Sequence, residues 1–378
     1  MKIETFKVEK WMNEYETGAK YNIAETCVNT LSLDELFSIA QIDKVEFFNN
    51  ISQKTLGYGY IQGAPEYKAG IASLYKTVNP QNIISTNGAA GANYLVFYSL
   101  INPGDEVISV LPTYQQLYSI PASLGADVKI LKLKPENDFL PDIEELKSLV
   151  TSKTKLICIN NPNNPSGALI PENMLLKIIE IAGSVGAYIL SDEVYRGLNQ
   201  DDEYAPSVAD LYEKGISVSS MSKVFSLAGL RLGWIASNNK DVINECLSHR
   251  EYNIISCGLL DEIFASLALA NADDILIRNK KIIRENLCIL DEWVSKQPYI
   301  YYKKPKAGTT ALLYYDFNIS SEKFCDEVYK QNGVFLTPGF CFELEHCVRI
   351  GYACDKKLLI NGLDSLADYV NNLSFVLK

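Results

Sequence analysis

Five short apolar segments rich in β-branched residues recur through the middle of the chain, and helical segments separate several of them. They cover residues 106–110, 128–133, 156–159, 187–190 and 216–218. A strand that is apolar on both faces has to be covered on both faces, and parallel strands need a crossover connection, usually a helix. The sequence therefore predicts an α/β fold in which helices sandwich a mostly parallel sheet.

The pattern changes near residue 274, where a long helix and then strand-like sequence over 301–317 replace the alternation. This α+β texture predicts a second, smaller domain, and 378 residues are enough for more than one core. We expect a large domain over 46–275. The small domain is expected to combine 1–45 with 276–378.

Polar turns directly follow three of the predicted strands. They begin at Asn160, Ser191 and Ser219, and each contains residue types that can bind ligands or carry catalysis. In open α/β sheets, ligands bind outside the carboxyl ends of the strands. The sequence therefore predicts one functional site at which these turns meet.

The third turn has the highest density of side chains that can bind a ligand or take part in catalysis. Ser219, Ser220 and Ser222 stand beside Lys223, and Arg231 follows. Hydroxyls, an ammonium and a guanidinium are costly to bury without an anionic partner. A phosphate-bearing carbonyl cofactor would satisfy all of them, with Lys223 forming a Schiff base, and pyridoxal phosphate (PLP) is the candidate. Taken alone, the turn equally fits a strand end followed by solvated side chains.

A small-residue segment, Gly88-Ala89-Ala90, opens the helix predicted after the short apolar segment at residues 83–84. Small residues at a helix N-terminus let backbone N–H groups approach an anion closely. Plain helix packing explains the segment as well when it is considered alone.

Charge and hydropathy exclude several classes of partner. The formal net charge is -11, which argues against nucleic acid and anionic membranes. No apolar run reaches the roughly 20 residues needed to span a bilayer. The first eleven residues alternate charged and apolar side chains without a hydrophobic signal core, so we expect a cytoplasmic protein.

Metal and histidine chemistry are not expected. The nine cysteines are scattered and fit free, buried side chains. Cys341, His346, Cys347 and Cys354 lie close in sequence but lack the paired spacing of a zinc site. The one other histidine, His249, has no context that supports a Ser-His-Asp or Cys-His mechanism.

The Asn-Pro-Ser-Gly turn, the Ser-Asp-Glu-Val-Tyr strand end and the Ser-x-Ser-Lys…Arg stretch together resemble the class I and II aminotransferases. These are PLP-dependent enzymes of the aspartate aminotransferase fold, fold type I. The matching motifs run in the family's order from Tyr58 to Arg349. The resemblance implies transfer of an amino group from an amino acid to a 2-oxo acid, and a homodimer with shared active sites.

The resemblance also implies roles around the cofactor ring. Lys223 would form the Schiff base and then act as the general base at the substrate α-carbon. Asp192 would pair with the protonated pyridine nitrogen. Tyr195 and Asn164 would hydrogen-bond the phenolic oxygen, and Tyr114 would stack on the ring face.

A second set of residues would bind the phosphate. By the same resemblance these are Ser220, Ser222, Arg231 and the backbone of Ala89 and Ala90. The family often has a hydroxyl residue where this chain has two alanines, so backbone donors would carry more of the binding. Tyr58 would reach the phosphate of the neighbouring subunit.

The substrate side is implied in the same way. Arg349 would clamp the α-carboxylate bidentately, with Asn164 and Thr26 beside the substrate. The family usually has a glycine near this position, and here residues 24–27 read Ala-Glu-Thr-Cys. If the substrate carries a second carboxylate, Arg196 and Arg250 are the best candidates to bind it. The many tyrosines and Glu25 equally permit an aromatic or cationic side chain.

Other functions stay open at this point. A carbon–sulfur β-lyase or an amino-acid oxidase would use the same PLP-binding residues. A non-catalytic PLP-binding regulator would need a DNA-binding domain, for which the chain has neither a basic patch nor spare length. A nucleotide-dependent oxidoreductase is weaker still, because the glycines of residues 57–63 lack the spacing of a dinucleotide fingerprint.

Overall fold

A seven-stranded sheet forms the centre of the fold in the computed structural model, which describes residues 2–376. The helices are α1 Lys7–Tyr15, α2 Leu33–Ala40, α3 Lys44–Ser52, α4 Pro65–Ala72, α5 Gly88–Leu100, α6 Gln116–Ser123, α7 Ile143–Leu149, α8 Glu172–Val185, α9 Val208–Leu211, α10 Lys240–Arg250, α11 Leu259–Ala270, α12 Ala272–Ser295, α13 Ser321–Asn332 and α14 Lys356–Val376. The strands are β1 Tyr21–Asn22, β2 Ile83–Thr86, β3 Glu106–Leu111, β4 Asp127–Lys132, β5 Thr154–Asn160, β6 Tyr188–Asp192, β7 Gly215–Ser220, β8 Gly233–Ala236, β9 Ile300–Tyr302, β10 Thr310–Tyr315, β11 Val334–Phe335, β12 Thr337–Pro338 and β13 Cys347–Gly351.

The central sheet has the strand order β2-β8-β7-β6-β5-β3-β4. Neighbouring strands are parallel from β7 to β4, and only β8 runs antiparallel to both of its neighbours. All five predicted strands lie in the parallel part of the sheet. The predicted mostly parallel α/β sandwich is confirmed.

Alternate residues of β5 show why the sheet needs helices on both faces. Leu156 and Cys158 pack into a core with α5 and α10, whereas Ile157 and Ile159 pack into a second core with α8. Successive side chains of a strand point to opposite faces, so a continuous apolar strand supplies both cores. The carboxyl ends of the strands lie outside both cores, and the polar turns that follow them can therefore form a site there.

A second, antiparallel sheet with the order β12-β13-β10-β9 is formed by the later part of the chain. The N-terminal segment joins this part, because β1 pairs in parallel with β11. Helix α1 is anchored there as well: the indole of Trp11 donates a hydrogen bond to the carbonyl oxygen of Leu336 (2.8 Å). At its other end the ring of Phe6 contacts that of Tyr114, with centroids 4.9 Å apart. The N-terminal segment therefore bridges the two sheets.

None of the helices within residues 2–376 combines the length and the apolar character that a membrane crossing requires.

Candidate active site

The three polar turns meet beside a cavity of about 320 Å³, between the carboxyl edge of the central sheet and residues of the second sheet and the N-terminal segment. Apart from Tyr58, every residue assigned to the cofactor or to the α-carboxylate end of the substrate lines it: Thr26, Ala89, Ala90, Tyr114, Asn164, Asp192, Tyr195, Ser220, Ser222, Lys223, Arg231 and Arg349. These residues are scattered over more than 300 positions of sequence. The fold therefore assembles one site from the segments that the sequence singled out.

Lys223 lies in the cavity just after β7. Its Nζ donates hydrogen bonds to the hydroxyl of Thr26 (2.6 Å) and to the thiol of Cys27 (3.4 Å), and Glu25 Oε1 lies 3.9 Å away. Burial disfavours its charged form, yet the surrounding groups, the Cys27 thiol first among them, raise the pKa of Lys223 above its ordinary value. The amine is thus fixed in position by the loop that follows β1.

Asp192 ends β6 and is 3% exposed. Its Oδ2 accepts a hydrogen bond from Asn93 Nδ2 (3.0 Å), and its Oδ1 accepts one from the backbone N–H of Val194 (3.3 Å). Burial raises the pKa of this carboxyl to about 6, against the opposing effect of those two hydrogen bonds and of Lys223. A cationic partner in the cavity would stabilise the charged form, as the protonated nitrogen of a pyridine ring would.

The N-terminus of α5 forms the floor of an anion site. Ala89 and Ala90 lie in its first turn, where backbone N–H groups have no partner within the helix. The guanidinium of Arg231 lies against the same turn, because a Cβ at Gly88 would stand only 3.0 Å from Arg231 Nη2. At Gly233 a Cβ would meet the carbonyl carbon of Gly88 at 2.4 Å. The two glycines allow β8, α5 and the arginine to come close together, in an arrangement that would suit a small anion.

Two hydroxyls complete this anion site. Ser220 and Ser222 line the cavity on the turn that carries Lys223, and both are buried. Arg231 donates one hydrogen bond within the protein, to the carbonyl oxygen of Ala228 (3.0 Å). Backbone N–H groups, hydroxyls and a guanidinium are the donor set that a phosphate group requires. These residues fit the phosphate of PLP.

The residues predicted around the cofactor ring are held by the protein itself. Tyr195 is 2% exposed, and burial raises the pKa of its phenol. The backbone N–H of Asn164 donates to the side-chain oxygen of Asn160 (2.7 Å), which fixes the turn after β5. The hydroxyl of Tyr114 donates to Glu9 Oε1 (3.1 Å), so α1 orients this ring.

Arg349 stands in β13 and is 3% exposed. Its hydrogen bonds go to neutral acceptors: the side-chain oxygen of Asn164 (3.3 Å), the carbonyl oxygen of Ala24 (3.1 Å) and the hydroxyl of Thr337 (3.0 Å). Its buried Nε has no hydrogen-bond partner. Burial lowers the pKa of the guanidinium, which would gain from a carboxylate at this position.

Arg196 and Arg250 lie outside the cavity, so neither can contact a substrate held beside Lys223. The Nε of Arg196 donates to the carbonyl oxygen of Ala205 (2.8 Å), and Glu193 lies 3.8 Å from it. Arg250 donates from Nε to the carbonyl oxygen of Ser85 (2.9 Å). Both arginines donate hydrogen bonds to buried backbone carbonyl groups of the protein. The interpretation that either one binds a second carboxylate of the substrate is wrong.

Sequence reasoning missed two contributors to the site. Asn93 is fully buried in α5, and a polar residue on the apolar face of that helix was the available signal. Helix α1 and the turn after it form one wall of the cavity through Val8, Glu9, Met12 and Glu16. No local motif marks this second set, because only the tertiary packing of α1 brings it to the site.

The cysteines show no metal chemistry in the described part of the chain. All nine are free thiols, and only Cys288 is exposed. Within residues 2–376, no group of three or more His, Cys, Asp or Glu side chains is placed to hold a metal ion.

Comparison with known proteins identifies the family. Residues 27–366 match the family described as aminotransferase class I and II, and the chain belongs to it. An aspartate aminotransferase of Pyrococcus horikoshii is 32% identical over 327 residues, covering 80% of each chain. The capreomycidine synthase of Streptomyces vinaceus is 26% identical over 369 residues, covering 96% of this chain and 92% of that protein.

A solved structure is similar over almost the whole length. The PLP-dependent aminotransferase from Streptococcus suis 89-1591 is 44% identical, with a TM-score of 0.96, and the alignment covers 99% of each chain. Members of this family use pyridoxal 5'-phosphate, and this chain is a PLP-dependent aminotransferase. The predicted family, fold, cofactor and enzyme class are confirmed.

Asp192→Asn tests the electrostatic description of the site. A carboxyl whose pKa is raised on folding stabilises the folded state fully below its ordinary pKa, 3.8, and this stabilisation is lost as the pH rises through about 6. We expect the unfolding free energy of the cofactor-free wild type to fall between these values, relative to Asp192→Asn, by at most about 3 kcal/mol. Urea denaturation across this pH range measures the difference.

The matched control for this experiment is Asp127→Asn, at the exposed start of β4. It removes the same charge without touching the cavity. Parallel pH profiles for the wild type and Asp192→Asn would contradict the assignment of a raised pKa to Asp192.

Proposed function

We propose that Lys223 is the catalytic lysine with which this enzyme moves an amino group from an amino acid to a 2-oxo acid. The observation that carries the proposal is the convergence on one cavity of Lys223, Asp192, the anion site at α5 and Arg349. Asp192 and Arg349 have only neutral hydrogen-bond partners within the protein. Together with Lys223 and the anion site, they match the functional groups of PLP and of an amino acid.

We propose that the anion site binds the cofactor phosphate. The backbone N–H groups of Ala89 and Ala90, the hydroxyls of Ser220 and Ser222, and Arg231 supply its donors. Asp192 would hold the protonated pyridine nitrogen, Tyr195 and Asn164 would bind the phenolic oxygen, and Tyr114 would support the ring. When bound, PLP supplies the electron sink that makes the α-hydrogen of an amino acid acidic.

The protein's own residues then carry the proton chemistry. Arg349 holds the α-carboxylate of the substrate with two hydrogen bonds, and Asn164, to which it is already bonded, positions this guanidinium. The amine of Lys223 would act as the general base that takes the proton from the α-carbon of the bound amino acid, and Nζ would hold that proton until it is returned. The hydroxyl of Thr26, 2.6 Å from Nζ, orients that amine.

Replacement of Lys223 by alanine tests this role. We expect Lys223→Ala to bind PLP, since its phosphate and ring contacts remain, and to lose turnover by about 10³-fold or more. Absorbance of the bound cofactor and amino transfer to a 2-oxo acid measure the two properties, and Lys303→Ala, on the surface, serves as the control.

Two results would contradict this proposal. One is a Lys223→Ala variant that transfers amino groups at the wild-type rate. The other is a wild-type enzyme that needs no 2-oxo acid: pyruvate and ammonia released from a cysteine conjugate would indicate a β-lyase, and oxygen consumption would indicate an oxidase.

We also propose that the enzyme is a homodimer with shared active sites. Tyr58 is 78% exposed and lies outside the cavity of its own chain. It belongs to an exposed apolar segment with Leu56 (79%), Tyr60 (53%) and Ile61 (48%), and a second copy of the chain would cover these side chains. In this arrangement Tyr58 reaches the phosphate bound by the partner.

We also propose the domain boundaries that the sequence predicts. The large domain covers 46–275 and the small domain combines 1–45 with 276–378, so the second boundary falls within the first turns of α12. The predicted cytoplasmic location, and the absence of nucleic-acid and membrane partners, stay predictions.

Mixed dimers test the sharing of active sites. Tyr58→Ala and Lys223→Ala subunits, each nearly inactive alone, should regain activity when mixed, because a hybrid holds one intact site and one with both lesions. We expect up to half of the wild-type activity per hybrid dimer. A mixture no more active than the sum of its parts, or a fully active monomer, would overturn the shared site.

A further inference from the structure

Three glutamates line the active-site cavity and have no role in the proposed binding of the cofactor or of the substrate α-carboxylate. Glu9 lies in α1, Glu16 in the turn directly after it, and Glu25 in the loop after β1. They come from one continuous stretch of the N-terminal segment, and the packing of that segment between the two sheets places all of them at the cavity.

The positive charges of the same cavity are already committed. Among the described residues that line it, the cationic side chains are Lys223, Arg231 and Arg349. The first carries the proton chemistry, the second belongs to the phosphate site and the third to the substrate α-carboxylate. Among the described residues of one chain, no cation remains in the cavity for the side chain of an acidic substrate. Glu9 and Glu16 have no cationic partner in the cavity, and the cation beside Glu25 is the Lys223 amine, 3.9 Å away.

Glu25 is held by the backbone with its carboxylate in the cavity. Its Oε1 accepts hydrogen bonds from the backbone N–H groups of Thr26 (2.7 Å) and Cys27 (2.8 Å). Burial works against the charged form, but Lys223 and these hydrogen bonds lower the pKa of the carboxyl below its usual value. Glu25 is therefore a fixed negative charge within reach of Lys223.

Glu16 and Glu9 extend this negative charge along the wall. Glu16 accepts a hydrogen bond from Asn22 Nδ2 (3.3 Å), and burial together with the charge of Glu25 raises its pKa. Glu9 accepts from Tyr114 (3.1 Å). Carboxylates close enough to repel each other are stabilised by a cation bound between them.

The buried Nε of Arg349 is an independent indication that a ligand belongs in this cavity. The guanidinium is 3% exposed, lines the same cavity and leaves this nitrogen without a hydrogen-bond partner. A carboxylate would complete its fork. The cavity thus offers a positive group for one end of a ligand and three negative groups for another.

We propose that the amino donor carries a positively charged side chain, of the class of ornithine, lysine and arginine, whose cationic end is bound by Glu16 and Glu25 with Glu9 beside them. This inference rests on the proposed function. The donor gives up its α-amino group and leaves as the corresponding 2-oxo acid, and a second 2-oxo acid takes the same amino group and leaves as an amino acid. The exchange is balanced, since one substrate is reduced as the other is oxidised.

The test compares donors of different side-chain charge on the holoenzyme, with ornithine and norvaline as the pair of equal carbon-chain length. Ornithine, lysine and arginine are compared with the neutral norvaline and with aspartate and glutamate, and kcat/KM is taken from the spectral change of the bound cofactor. We expect at least a tenfold preference for one of the basic donors over norvaline. Titration calorimetry with α-methylornithine, which has no α-hydrogen, measures binding without turnover.

Glu16→Gln is the decisive variant and Glu14→Gln its control. Both lie in the same segment, but Glu14 is exposed and outside the cavity. We expect Glu16→Gln to weaken binding of α-methylornithine and kcat/KM for the basic donor by about tenfold, the equivalent of 1.4 kcal/mol. Its kcat/KM for norvaline should change less than twofold, and Glu14→Gln should change neither value.

Each of three results would overturn the inference. A wild-type preference for aspartate or glutamate over all basic donors would show that a cation enters the cavity from elsewhere. Equal losses in Glu16→Gln and Glu14→Gln would show that only the general field of the protein acts. In both cases conversion of norvaline would leave the proposed function standing. The third result is a protein that converts none of these donors: conversion of tyrosine or phenylalanine would then leave the proposed function standing, and its absence as well would remove both proposals.

Discussion

The close packing of the loop after β1 against β13 is the contact on which the whole cavity depends. The backbone N–H of Gly351 donates to the carbonyl oxygen of Ile23 (2.8 Å), and a Cβ at Gly351 would lie 1.8 Å from the carbonyl oxygen of Glu25. The hydroxyl of Thr309 donates to the carbonyl oxygen of Thr26 (2.7 Å). Because of this contact, a loop near the N-terminus holds the amine of a lysine two hundred residues later in the sequence.

Asp192 and Arg349 share one property in this cavity: each is a buried ionisable group without a charged hydrogen-bond partner. Asp192 is buried with two neutral hydrogen-bond donors, and Arg349 is buried with neutral acceptors. Burial of an ion that is only partly satisfied costs several kcal/mol, and a ligand of opposite charge removes that cost. The protein thus holds these charged groups in place before the ligands bind, and PLP and an amino acid supply the missing partners. The conformation of Gly88, with a φ of 70°, and the closeness of Gly233 serve the same purpose for the phosphate.

The sheet and the residues at its edge could be predicted from sequence because they are local. A β-branched strand followed by a polar turn is visible in a single stretch, and a parallel sheet aligns such turns without further information. Arg196 and Arg250 were misjudged, since a guanidinium that satisfies backbone carbonyls looks the same in sequence as one that awaits a ligand. The wall formed by α1 was missed for a related reason: Glu9 and Glu16 face the cavity through contacts of α1 with distant segments, such as those of Trp11 with Leu336 and of Phe6 with Tyr114. Contacts between distant segments have no local pattern.

Reduction of the purified holoenzyme with borohydride, followed by peptide mapping, tests the central claim most directly. Borohydride fixes the pyridoxyl group covalently to the amine that holds it, and the mass of the modified peptide names that residue. If the cavity beside Asp192 and the N-terminus of α5 is the active site, the label must be on Lys223 alone. A label on any other lysine, or a protein that retains no pyridoxyl group after reduction, would contradict this account of the site.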